Sequence, residues 1–202
     1  MWYLDAYDDL VEDVVGAVGL TENLLGGSAM KPLDILKARN GKTVEVGHTD
    51  AEGRLVLADV VAHVEETESP ESIVTVATLT GACMYGLGYD YAGMIGDDRK
   101  MAKRIREVSE NDGFERFWEL PFDERMKKAT KGTVSDYRST AREMLAGASM
   151  GAAFIANFRG KAKFTHLDIA GPAFRTSEWG VFPKDATGFG VATLSGLFRA
   201  TK

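Results

Sequence analysis

A chain of 202 residues, 45% apolar and 27% charged, has the material for one globular domain with a sizeable core. Its net charge of -6 and pI near 5.2 argue against a nucleic-acid surface, which needs a clustered basic field. The single cysteine, Cys83, excludes an intrachain disulfide, and neither a signal-like amino terminus nor an apolar stretch long enough to cross a bilayer is visible, so a cytoplasmic protein without a membrane partner is expected.

In chain order, Leu4, Tyr7, Leu10 and Val11 follow helical spacing within a short acidic segment, residues 1–13, and predict an amphipathic helix there. The uncharged run at residues 14–20 reads as a strand covered on both faces. Residues 22–31, with Gly26, Gly27 and Ser28, read as a loop. Alternating segments at 34–38 and 43–46 flank Asn40-Gly41, which predicts a hairpin. Leu57, Val60, Val61 and Val64 form one stripe of a helix over residues 54–66.

Residues 73–79 are a second buried strand ended by Thr80-Gly81, with Cys83 expected as a small buried hydrophobe just beyond, and residues 92–96 a third. The basic run at 99–106 is interspersed with Met101 and Ile105, as on the solvated face of a helix whose inner side also carries Val108. Residues 117–121 are extended, and Pro121 implies a sheet edge or an exit. A surface helix is predicted over 123–133 and a helix rich in small residues over 140–158, placed against the sheet centre. A last strand follows at 164–169 and a last helix at 186–200. Strands alternating with helices predict an α/β fold: a mostly parallel central sheet with helices on both faces, in three layers.

The stretch His48-Thr49-Asp50-Ala51-Glu52-Gly53-Arg54-Leu55 carries the chemistry. In an extended segment a period of two would aim Asp50, Glu52 and Arg54 to one side, and two crowded carboxylates resist joint ionisation unless a cation lies between them. The same residues also read as a capping box, Thr49 with Glu52, at a helix amino terminus. Gly53 favours a turn from strand into helix, with the helix starting near Arg54.

At these positions the chain resembles the leucyl aminopeptidase family of dinuclear metallopeptidases, whose signature is Asn-Thr-Asp-Ala-Glu-Gly-Arg-Leu. His48 replaces the asparagine and the other seven positions match. The resemblance continues through Ala77-Thr78-Leu79-Thr80-Gly81-Ala82, Leu145-Ala146-Gly147-Ala148, His166-Leu167-Asp168-Ile169-Ala170-Gly171-Pro172-Ala173 and Ala186-Thr187-Gly188-Phe189-Gly190, and covers nearly everything from Val14 onward. It implies that Asp50 and Glu52 ligate two divalent metal ions, manganese or zinc, with Glu52 bridging them, and that Arg54 helps hold a bicarbonate. It further implies that Thr78, Leu79, Gly81 and Ala186 bind a peptide substrate, and that the chain forms a homo-oligomer, the family assembling as hexamers.

The family takes a lysine and two aspartates of its metal site, and a second, catalytic lysine, from sequence preceding the equivalent of Val14. Here thirteen residues stand there, with no lysine or arginine among them, and the first basic residue is Lys31. Residues 14–202 therefore read as a catalytic domain lacking its amino-terminal part. The resulting expectations are an aminopeptidase, or an incomplete relative that acts as an oligomeric scaffold or needs a partner chain for the missing lysines and aspartates. His48 stands either as an extra ligand or as a hydrogen-bonded structural residue. Asp5, Asp8 or Asp9 stands either as a substitute ligand or, more simply, as part of a solvated acidic face.

Gly147-Ala148-Ser149-Met150-Gly151 also matches a serine-hydrolase elbow, with His166 and Asp168 available for a triad. The elbow needs a strand entering a tight turn, whereas residues 140–146 read as helix, so this alternative is disfavoured.

Overall fold

The computed structural model describes residues 13–198 except 144, and the helix expected near Leu4 lies outside them. A four-stranded sheet, in the order β3-β7-β4-β5, forms the centre. Its strands are β3 (Ser72–Ala77), β4 (Tyr91–Gly96), β5 (Arg116–Glu119) and β7 (Lys163–Asp168). β3 runs parallel to β7 from Ser72↔Lys163 to Ala77↔Asp168, and β4 parallel to β5, while β4 and β7 are antiparallel with Ile95 opposite His166. Two of its three ladders are thus parallel, and β5, which leads into Pro121, is an edge strand.

Side chains alternate between two cores, as a period of two requires. Ile73, Ile95 and Phe164 face one layer of helices: α1 (Gly53–Glu68), α2 (Gly81–Leu87) and α5 (Gly147–Ala156). Val74, Val76, Met94 and Leu167 face the other, α3 (Arg99–Asp112) and α6 (Val191–Phe198). The three-layer α/β architecture is as expected. Met101 and Ile105 are the buried side of α3, whose amino terminus is capped by Asp98 accepting from Met101 N at 3.0 Å. Among the described residues no helix is long and apolar enough to cross a membrane.

The Asn40-Gly41 hairpin forms as β1 (Ile35–Lys37) and β2 (Thr43–Glu45), with Gly41 at φ +84. β2 also pairs in parallel with the short strand β6 (Tyr137–Arg138), making a second sheet that local patterning does not reveal. A short helix, α4 (Glu124–Ala129), and a hairpin of β8 (Phe174–Arg175) with β9 (Asp185–Ala186) complete the elements.

Four expectations are corrected. Residues 14–20 are not a buried strand: Val15, Val18 and Leu20 are exposed, Val18 to 80%. The segment lies across α1, where a Cβ on Gly19 would meet Val56 Cγ1 at 2.6 Å and Val60 Cγ2 at 2.8 Å. An uncharged β-rich run becomes a buried strand only if a ladder partner and a second layer reach it, and among the described residues none pairs with it. The helix expected over 140–158 begins at Gly147, because Ala146 adopts a left-handed conformation at φ 50 that stops any helix from running through it. The last helix starts at Val191 instead of 186, since Gly188 and Gly190 have φ +68 and +96. The surface helix expected over 123–133 spans only Glu124–Ala129, capped by Asp123.

Candidate active site

β2 delivers the chain to His48, but the next element is a 3-10 turn, Thr49–Ala51, running straight into α1. The expected extended geometry with a period of two is therefore not formed. The Thr49 capping box is not formed either: His48 Nδ1 accepts from Asp50 N at 3.1 Å, so His48 caps this turn, and Glu52 occupies the helix N-cap position without a side-chain cap bond. Asp50 is exposed and Glu52 half-buried.

Arg54, in the first turn of α1, points inward. Its Nη1 donates to the Ser139 carbonyl at 2.9 Å, and its Nε has no partner among the described residues. Burial lowers the guanidinium's pKa, while the negative charges of Asp168 and Glu52 oppose that and favour its cationic form.

β3 and β7 run parallel and end in register at Ala77 and Asp168, so residues 78–81 and 168–171 leave the sheet at the same end. In α/β sheets this carboxyl-terminal rim is where ligands lie. Thr78 and Gly81 are exposed there, while Leu79 turns inward against the core. Asp168 accepts from Leu79 N at 3.1 Å, and its other oxygen accepts from Thr80 Oγ1 at 2.7 Å. Thr80 Oγ1 in turn accepts from Cys83 N at 3.1 Å and caps α2. Burial pushes the Asp168 carboxyl above its ordinary range, against the hydrogen bonds from Thr80, Ala170 and Leu79 that stabilise its anion.

The small residues of α5 explain how these parts come together. A Cβ on Gly151 would lie 2.9 Å from Leu79 Cδ2, 3.4 Å from Thr80 Cγ2 and 3.6 Å from Arg54 Cζ. Three side chains from two distant stretches thus meet over one glycine. Ala186 sits on β9 opposite Phe174, exposed, and no hydrogen bond ties it to residues 78–81.

The chain belongs to the cytosol aminopeptidase family. The model of that family's catalytic domain matches residues 5–195. A probable cytosol aminopeptidase of Aquifex aeolicus is 45% identical over 183 residues, which are 90% of this chain and 36% of that protein. One of Wolinella succinogenes is 43% identical over 191 residues, 93% of this chain and 39% of the relative. Among solved structures, a mutant of tomato leucine aminopeptidase superposes with a TM-score of 0.80 at 39% identity, covering 88% of this chain and 34% of that one. The bottromycin maturation enzyme BotP gives 0.79 at 31% identity, covering 86% and 38%. The chain thus spans well under half the length of each of these proteins.

The carboxylates of Asp50 and Glu52 have the right chemistry for a divalent ion. Two such side chains are fewer than an ion normally takes from protein, and among the described residues no three His, Cys, Asp or Glu side chains are grouped to hold one. By themselves they would make at most part of a metal site, not a whole one. A cleft of about 540 Å³ lined by Tyr91, Arg106, Glu110, Arg116 and Trp118 opens beside β5 and includes none of the site residues.

The serine-hydrolase alternative finds no support. Ser149 is buried inside α5; His166 Nδ1 is engaged by Thr75 Oγ1 at 2.8 Å and its Nε2 has no partner among the described residues, so Ser149 has no base. Of the residues that shape the site, Thr80 and Asp168 are legible only as members of matched motifs at strand ends, and Ser139 and Gly151 are not legible as site residues at all. Their roles come from contacts between distant stretches: Arg54 with Ser139 across 85 positions, and Asp168 with Leu79 and Thr80 across 89 and 88.

Proposed function

We propose that this chain is a carboxyl-terminal part of a metal-dependent aminopeptidase that releases leucine-like amino-terminal residues from peptides in the cytoplasm. Asp50 and Glu52 would hold part of a dinuclear centre of manganese or zinc, with the remaining ligands supplied by residues outside the described ones. When bound, such a centre supplies Lewis acidity and an activated water.

The chain's own residues bind and orient. Arg54 holds a positive charge at the rim, suited to a bicarbonate or to a developing oxyanion. Thr78, Leu79 and Gly81 receive the substrate backbone and first side chain, and Ala186 borders that pocket. The observation that carries the reading is the meeting of Arg54 with Leu79 and Thr80 over Gly151, because it joins the acidic motif to the second family motif at one rim. Assembly as a homo-oligomer, or with a partner chain carrying the upstream lysines and aspartates, is part of the same proposal.

The incomplete carboxylate set favours a second reading, in which the fold persists as a non-catalytic scaffold. Release of leucine anilide with added manganese separates the two. The first reading expects a lysine-bearing upstream fragment to confer activity on this chain, and metal content by mass spectrometry to fall in Asp50→Ala. Inactivity with the fragment present, and the same near-zero metal content in both proteins, would leave only the scaffold.

A further inference from the structure

The ladder between β3 and β7 stops at Ala77, whose carbonyl accepts from Ile169 N at 2.9 Å. Beyond that point the register ends, and among the described residues no strand pairs with residues 78–80. One side chain takes the place of such a strand. Asp168, fully buried, accepts at Oδ1 from Leu79 N at 3.1 Å, Thr80 N at 3.4 Å and Ala170 N at 3.2 Å, and at Oδ2 from Thr80 Oγ1 at 2.7 Å.

Three of these four donors belong to Leu79 and Thr80, between the two exposed positions Thr78 and Gly81. A group that accepts at both ends satisfies all four at once, whereas an amide would turn a donor either towards the backbone N–H groups or towards the Thr80 hydroxyl, whose proton would then lose its acceptor. The same carboxylate lies close enough to Arg54 to favour its charged form.

We propose that Asp168 is a positioning residue: its carboxylate stands in for a pairing strand and holds Thr78, Leu79, Thr80 and Gly81 in the shape that binds the substrate backbone, facing Arg54. This rests on the aminopeptidase reading for the identity of the substrate, though the clamp itself does not. Positioning of this kind lowers the cost of ordering a binding loop, so its loss weakens binding before it slows chemistry.

The test uses Asp168→Asn and the isosteric Thr80→Val, which removes one donor and leaves the carboxylate. On the full chain, amide hydrogen exchange at Leu79 and Thr80 is expected to quicken about tenfold or more in Asp168→Asn, the loss of bonds to a charged acceptor, while Val74 and Val76 within β3 keep their rates. In the assembly with the upstream fragment, KM for leucyl peptides is expected to rise about tenfold with a smaller change in kcat, and Thr80→Val to move both readouts the same way by less. A purely structural defect would lower the active fraction at constant KM. Unchanged exchange at Leu79 and Thr80 overturns the clamp whatever the activity. Loosened amides with an unchanged KM overturn its part in substrate binding. An inactive wild-type assembly overturns the aminopeptidase reading instead, and exchange still decides the clamp.

Discussion

Lowering the pH from 7 to 5 should destabilise this chain through one side chain, His166. The ring lies in the middle of β7 with no exposed surface, its Nδ1 2.8 Å from Thr75 Oγ1 and its Nε2 without a partner among the described residues. Burial first, and the Arg54 guanidinium second, lower its pKa from 6.5 to about 3. The fold therefore holds the neutral ring, while the unfolded chain takes up a proton below pH 6.5. Stability from this source is fully present above that pH and is lost as the pH falls towards 3. At pH 5 the difference in proton binding amounts to about 2 kcal/mol, a large share of a stability that is typically about 5 to 15 kcal/mol. Urea unfolding of the wild type and of His166→Gln at pH 7, 6 and 5 measures it. Gln stays neutral throughout and retains a group able to bond Thr75, and carboxylates common to both proteins cancel in the comparison. The wild type should lose about 2 kcal/mol more than the variant between pH 7 and 5. Parallel pH slopes would refute the claim that this imidazole is sealed in its neutral form.

Three further outcomes are expected. Glu115, 2% exposed, accepts from Gly190 N at 2.7 Å and Thr193 N at 2.9 Å and so caps α6 from a distant loop; Glu115→Ala should cost about 3 kcal/mol in urea melts, and a loss below about 1 kcal/mol would show that water replaces it. A Cβ on Gly96 would press into the Phe164 carbonyl oxygen and approach Thr165 Cα at 2.8 Å, so Gly96→Ala should separate β4 from β7 and lower stability by about 3 kcal/mol; an unchanged melting temperature would contradict this packing. The Cys83 thiol, raised to about 12 chiefly by burial and secondly by Asp168, should resist a thiol reagent at pH 8 in the folded chain and react fully in urea, and rapid labelling of the native protein would place it at the surface.

The sequence discloses best what depends on neighbours along the chain. The Asn40-Gly41 hairpin, the stripe of α3 and the buried strands β3, β4 and β7 all follow from local period and turn chemistry. It discloses poorly what a distant partner decides. Residues 14–20 have the composition of a strand but lie over α1 unpaired, and residues 140–146 have the composition of a helix that Ala146 cuts short. The motif at Asp50, Glu52 and Arg54 is visible by its types, yet its shape is a 3-10 turn and a helix start, not an extended comb. Asp168 is readable as a motif residue near a strand end but not as a clamp, because three of its donors are backbone amides whose identity no side chain reveals.

Gly151 gives the site an unusual dependence on an atom that is not there. Bound to Ser139 and seated beside Gly151, the guanidinium of Arg54 has given up part of its rotational freedom during folding, so less entropy is left to lose when an anion arrives. A Cβ at 151 would press first on Leu79 Cδ2 at 2.9 Å and meet the Arg54 guanidinium only at an ordinary contact distance of 3.6 Å, so even a methyl there would disturb the 78–81 segment before the cation.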